Sequence, residues 1–71
     1  MMKKRVETVL LDASTGPIVA IGQKVKQGEI VGYTPDGSAA FSPVTGTVLA
    51  CQFDADKHLL CLFVEAEPSP G

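Results

Sequence analysis

Three side chains with a wide chemical repertoire lie close together in the last third of this chain: Cys51, His58 and Cys61. The two cysteines flank the polar segment 54–57, which reads Asp-Ala-Asp-Lys and is typical of a hairpin loop. If strand residues whose numbers sum to about 112 pair with each other, Cys51 lies opposite Cys61. The same register would place two apolar pairs beside them, Leu49 with Phe63 and Phe53 with Leu59.

Two thiols facing each other could form a disulfide or a redox pair, and His58 could add a third ligand to a metal. A cytosolic setting argues against the disulfide. Strand alternation argues against the metal, because it places His58 and Cys61 on opposite faces. The interpretation that we favour is that both cysteines pack as small apolar residues.

The remaining polar residues do not predict an enzyme. Asp54 and Asp56 are typical turn formers, and His58 is expected at the surface of a hairpin end. The glycines at 22, 28 and 32 are not followed by a helix, whose N-terminal dipole a phosphate loop would use. We therefore assign no catalytic, cofactor-binding or metal-binding residue, and expect no bound cofactor.

Composition limits the remaining possibilities. A chain of 71 residues with 45% hydrophobic residues is expected to form one small domain. A net charge of −2 and the absence of tryptophan argue against nucleic-acid binding. The longest apolar run, 59–64, is too short to span a bilayer. We divide the chain into a basic end (1–5), a domain (6–66) and a flexible tail (67–71).

The basic residues 3–5 are interpreted as a solvated end, since no apolar stretch or cleavage site makes them a signal peptide. We expect a cytoplasmic protein, or one that is peripheral at a membrane complex.

Short β-rich segments alternate with glycine- and proline-containing turns along the whole domain. Strands are predicted at 6–11, 18–21, 30–33, 39–41, 46–53 and 58–65, and no segment has helical periodicity. Residues 34–38 read Thr-Pro-Asp-Gly-Ser, which is the strongest hairpin-turn signal in the chain. An all-β sandwich or barrel is the expected fold class.

Two longer motifs resemble a known family. Residues 19–31 are similar to the pattern Val-x-x-Gly-Asp-x-Val-x-x-Gly-x-x-Leu, with Gln23 at the acidic position. Residues 42–48 are similar to Ala/Ser-Pro-x-x-Gly-x-Val. Both motifs are found in biotinyl/lipoyl-like domains, and the resemblance covers about residues 16–65. It implies a barrel-sandwich hybrid of two quasi-symmetric halves, with Val25, Ile30 and Val48 in a common core.

The lysine that carries the cofactor in this family is missing from the expected hairpin apex. Lys24, Lys26 and Lys57 lie elsewhere in the sequence. The lysine-free domains of Rnf-type electron-transport C subunits, and of the A subunit of the sodium-pumping NADH:quinone reductase, look more similar. This resemblance implies a non-catalytic docking module whose protein partner is a subunit of an electron-transport, carboxylase or dehydrogenase complex. Exposed edge strands in so small a β domain are compatible with a weak dimer as well as with a monomer.

The hairpin apex and its flanks are the predicted partner-binding surface. It comprises Tyr33, Pro35, Asp36, Gly37, Ser38 and Phe41. Two alternatives stay open at this point: a biotin- or lipoyl-type carrier that uses a displaced lysine such as Lys24, and a regulatory adaptor fragment of a transport system.

Overall fold

The computed structural model describes residues 5–68. The predicted basic N-terminal end lies outside these residues apart from Arg5, whose Nε donates to Glu7 Oε2 at 2.9 Å. The predicted flexible tail lies outside them apart from Glu67 and Pro68.

Six strands make up the regular structure, and the described residues contain no helix, so the all-β prediction is confirmed. In chain order the strands are β1 (Val6–Asp12), β2 (Lys24–Val25), β3 (Ile30–Tyr33), β4 (Ala39–Phe41), β5 (Gly46–Asp54) and β6 (Leu59–Ala66).

The strands form two antiparallel sheets that together give a barrel-like fold. The larger sheet has the order β1-β6-β5-β2 and curls into a half-barrel, and the smaller one is the β3–β4 hairpin. The hairpin packs beside β1, where Leu11 meets Gly32. The apolar core lies between the two sheets.

The core is small and rich in valine. Its buried members are Leu11, Val25, Val31, Ala40, Val44, Val48, Leu62 and Val64. Val25 and Val48 lie in the core as predicted, but the prediction for Ile30 is wrong, because its side chain is 39% exposed. The register of β3 against β4 shifts at Val31, since Ile30 pairs with Phe41 and Gly32 pairs with Ala40. Val31 and Gly32 therefore both lie inward, while Ile30 and Tyr33 face outward.

The strand predicted at 18–21 does not form. Gln23 N–H donates to Ala20 O at 3.0 Å and Gly22 N–H donates to Val48 O at 2.7 Å, so the chain turns here. Ile18 and Ile21 are exposed, and Val19 alone of the four packs against the core. A segment that turns every few residues cannot keep a strand register.

Two turns of the same design lie on either side of β2. In residues 20–23 and 26–29 the fourth N–H donates to the first carbonyl, and a glycine with positive φ occupies the third position, as in type II turns. The side chains of Gln23 and Glu29 each accept a hydrogen bond from the first N–H of their own turn. These two side chains stabilise the turns through hydrogen bonds that the sequence motif alone does not predict.

A β-bulge at Leu49 shifts the register of the β5–β6 hairpin. Up to Val48, which pairs with Val64, the paired numbers sum to 112, as predicted; beyond the bulge they sum to 113. The predicted cysteine pair and the two predicted apolar pairs are therefore wrong. The observed pairs are Ala50 with Phe63, Cys51 with Leu62, Gln52 with Cys61, and Phe53 with Leu60.

Candidate functional site

The loop that joins β3 to β4 is held by several hydrogen bonds. Thr34 N–H donates to Ser38 O at 2.8 Å, and Gly37 N–H donates to Thr34 O at 2.9 Å. Gly37 has a φ of 89°, a conformation that glycine adopts without steric cost. Pro35, before Asp36, restricts the first corner of the turn. The predicted Pro-Asp-Gly hairpin turn is thus confirmed.

The Asp36 carboxylate organises this loop from within. Its Oδ1 accepts the Ser38 N–H at 3.0 Å and the Thr34 hydroxyl. The hydrogen bond from the Thr34 hydroxyl, followed by that from the Ser38 N–H, lowers the pKa of Asp36 below its ordinary value. The loop therefore presents a fixed negative charge at an exposed apex.

The outer face of the β3–β4 hairpin is apolar. Tyr33 is 38% exposed and Phe41 is 55% exposed, while Ile30 lies directly across from Phe41 in the register. We call these three side chains the outer hairpin patch. The predicted residues Tyr33 and Phe41 thus lie on one face. Ile30 was missed, because a hydrophobic residue at a motif position was interpreted as core.

The inner face of the hairpin anchors it to the rest of the domain. Val31 and Ala40 are buried, and Gly32 lies against Leu11. A Cβ on Gly32 would lie 2.9 Å from both Leu11 δ-carbons, so the close approach depends on glycine. The apex is therefore carried on a packed hairpin, and its shape does not depend on a partner.

The lysines of the described chain lie away from the apex. Lys24 begins β2, its side chain is 79% exposed, and its Nζ lies 3.8 Å from Glu67 Oε1. Lys26 follows β2, and Lys57 lies in the loop between β5 and β6.

The cysteines are both free and lie on opposite faces of the large sheet. Cys51 packs against the core, whereas Cys61 pairs with Gln52 and Leu10, which are both exposed. Burial raises the pKa of Cys51, which makes it a poor nucleophile at neutral pH. His58 lies with its ring 6.4 Å from that of Phe53, and residues 5–68 contain no group of three or more metal-ligand side chains.

A shallow, open cleft of about 430 Å³ lies where the described chain begins and ends. It is lined by Arg5, Gln27, Pro43, Val44, Thr45, Ala66, Glu67 and Pro68. Its two charged side chains form exposed ion pairs, Arg5 with Glu7 and Glu67 with Lys24.

No protein-family model, curated protein or solved structure matches this chain. Within the described part of the chain there is no helix long and apolar enough to cross a membrane.

Proposed function

We propose that this protein is a non-catalytic docking module that binds a protein partner through the β3–β4 hairpin. The observation that carries the proposal is the outer hairpin patch, an exposed apolar surface beside a loop that its own hydrogen bonds already hold in shape. Aromatic side chains such as Tyr33 and Phe41 are enriched where protein partners meet.

The order of the loop favours binding. A partner that meets an ordered loop does not have to supply the free energy of ordering it. The Asp36 carboxylate accepts a hydrogen bond from the Ser38 N–H, and the Gly37 N–H donates to Thr34 O. Below this apex, Gly32 packs closely against Leu11. The geometry supports binding of the partner without a change in the shape of the hairpin.

The size and charge of the surface indicate the kind of partner. Three exposed side chains form a contact much smaller than the roughly 800 Å² that each side of a stable interface buries, so we propose a weak or transient contact. The outer hairpin patch would fit an apolar depression on the partner. The Asp36 carboxylate beside it would be complemented by hydrogen-bond donors or a positive charge. The sequence resemblance supports an electron-transport subunit as that partner.

The test is quantitative affinity capture from native cells with matched baits. Tyr33→Ala, Phe41→Ala and Asp36→Ala are compared with the wild type and with Leu10→Ala, which removes an exposed apolar side chain on β1, outside the patch. We expect one group of partners to be lost from all three hairpin variants and kept by Leu10→Ala. Partners that persist on every hairpin variant would rule the hairpin out.

The same preparation tests the carrier alternative. An intact mass equal to that of the unmodified chain is expected. A bait heavier by a biotinyl or lipoyl group, with the addition lost in Lys24→Arg, would replace the docking proposal with a carrier.

A further inference from the structure

The far half of β5 has one strand edge without a partner strand. Residues 50–54 pair with β6 on one side, while β2 pairs only with Gly46 and Thr47 on the other. The last bonds on that side join Val48 to Gly22 and Gln23. Beyond Val48, no strand of the described chain covers this edge of β5. We call residues 50–54 the open edge.

Strand alternation shows which backbone groups face outward there. Val48 directs both its N–H and its carbonyl away from β6, to Gln23 and Gly22. Successive residues alternate between the two edges, and the bulge at Leu49 inserts one extra residue. Cys51 and Phe53 therefore direct their N–H and carbonyl groups to the open edge, and Gln52 directs its own to β6.

Residues 50–53 of the open edge read Ala-Cys-Gln-Phe and contain no proline and no charge, both of which usually prevent strand pairing. The open edge carries one charge, Asp54 at its end, and the bulge at Leu49 lies just before it. Leu49 and Phe53 are 42% and 56% exposed. The other edge strand, β1, carries Glu7 and Asp12 and lies beside the β3–β4 hairpin.

We propose that a second copy of this chain pairs antiparallel with the open edge, with Gln52 on the two-fold axis. Cys51 of each copy then lies opposite Phe53 of the other, and their outward N–H and carbonyl groups form four hydrogen bonds between the strands. Paired numbers sum to 104, an even number, so both copies keep the same face. The strands β1-β6-β5-β5-β6-β1 then form one continuous sheet, and β2 stays paired to the first residues of each β5.

An identical strand from a second copy fits this edge without a charge clash. A two-fold axis through Gln52 pairs Cys51 of one copy with Phe53 of the other, so the outward backbone groups of both residues are used. The same register places Asp54 opposite the uncharged Ala50, which avoids a carboxylate pair. Pairing also covers part of the exposed Phe53 ring, which has a neighbouring strand, β6, on one side only.

The test is a charge exchange at the two-fold axis, measured by sedimentation from micromolar to millimolar protein. Gln52 is exposed, so Gln52→Lys and Gln52→Glu leave the fold intact. Each variant alone places like charges opposite each other and is expected to raise the dimer dissociation constant about two- to fivefold. An equimolar mixture of the two is expected to restore association to at least the wild-type level.

The matched control is Thr8→Lys, which places the same charge on the exposed face of β1, the other edge strand. It is expected to leave the dimer unchanged. A wild type that stays monomeric at millimolar concentration overturns the proposal, and so does association that Thr8→Lys weakens and Gln52→Lys does not. Both outcomes leave the hairpin docking proposal untouched, because Tyr33 and Phe41 lie outside the open edge.

Discussion

Gly46 occupies a position that no other residue can fill without moving the backbone. A Cβ built there would lie 1.9 Å from the carbonyl oxygen of Glu65, on the neighbouring strand. We expect Gly46→Ala to reduce the free energy of unfolding by about 3 kcal/mol or more, at the upper end of the cost of overpacking. Urea denaturation followed by circular dichroism measures this change.

Gly32→Ala is the comparison variant, because the atoms nearest to its Cβ belong to the Leu11 side chain and not to backbone. The loss there is expected to be smaller, about 1–2 kcal/mol. Equal losses at the two sites would show that the β5–β6 backbone separates more easily than the close contact at Gly46 indicates.

His58 adopts a left-handed backbone conformation with a φ of 55° at the end of the β5–β6 loop. A residue with a Cβ is strained in this region, whereas glycine is not. We expect His58→Gly to raise the free energy of unfolding by about 0.5–1 kcal/mol, after allowance for the greater freedom of glycine in the unfolded chain. Lys57→Gly, one residue earlier and without positive φ, is expected to lower it. A loss of stability in His58→Gly would mean that the ring contact with Phe53 outweighs the backbone strain.

Asp36 makes stability depend on pH in the acid range. Its folded-state pKa lies below the ordinary value of 3.8, so the ionised form is the one that the folded loop favours. This contribution is fully present above pH 3.8 and is lost as the pH falls through the lower folded-state value. Asp36→Asn cannot titrate, so wild type and variant should converge in thermal stability below that pH. A stability difference that stays constant from pH 7 to pH 2 would contradict this role.

At the scale of the elements, turns were more predictable than strand faces. Pro-Asp-Gly in the apex and the glycines at 22 and 28 specify turns by local conformation alone, so the sequence located them. Whether Ile30 or Val31 faces inward depends on the register shift between Ile30 and Gly32, and two adjacent apolar residues do not indicate that shift. The outer hairpin patch could therefore be predicted in part, through Tyr33 and Phe41, and not through Ile30.

The bulge at Leu49 was not predictable from residue types, since no glycine or proline marks it. Its consequence for the β5–β6 register is testable with a disulfide. Gln52 lies directly opposite Cys61, at a Cα separation of about 4.5–5.5 Å that suits a disulfide. We expect Gln52→Cys in a Cys51→Ala background to form an intramolecular bond with Cys61 on mild oxidation at low protein concentration.

The wild type serves as the control for this register. Cys51 and Cys61 lie on opposite faces, so the wild type should form no intramolecular disulfide under the same conditions. Intact mass with and without reductant shows whether the wild type and the Gln52→Cys, Cys51→Ala variant each contain an intramolecular disulfide. If the wild type forms an intramolecular disulfide, Cys51 lies opposite Cys61 and the bulge at Leu49 is absent.

At the scale of the whole molecule, the all-β class could be predicted because turn signals divide the chain into segments too short for helices. The sheet order β1-β6-β5-β2 depends on contacts between distant segments, such as Val6 with Glu65. Local sequence does not encode such pairings.

A core of eight small and medium side chains leaves little stability in reserve. For 71 residues, a typical free energy of unfolding is about 4–11 kcal/mol. Leu62, which is 1% exposed, is among the largest fully buried side chains, and Leu62→Ala should remove about 2–5 kcal/mol. We expect the midpoint of thermal unfolding of this variant to lie well below that of the wild type, as measured by thermal circular dichroism.

Phe41→Ala provides the contrast, because its side chain is 55% exposed and lies outside the core. Its free energy of unfolding should change by no more than about 0.5 kcal/mol. If Phe41→Ala is stable but has lost its partners, then Phe41 is required for docking and not for folding. If Phe41→Ala unfolds as Leu62→Ala does, the outer hairpin patch stabilises the fold, and the loss of a partner from that variant says nothing about docking.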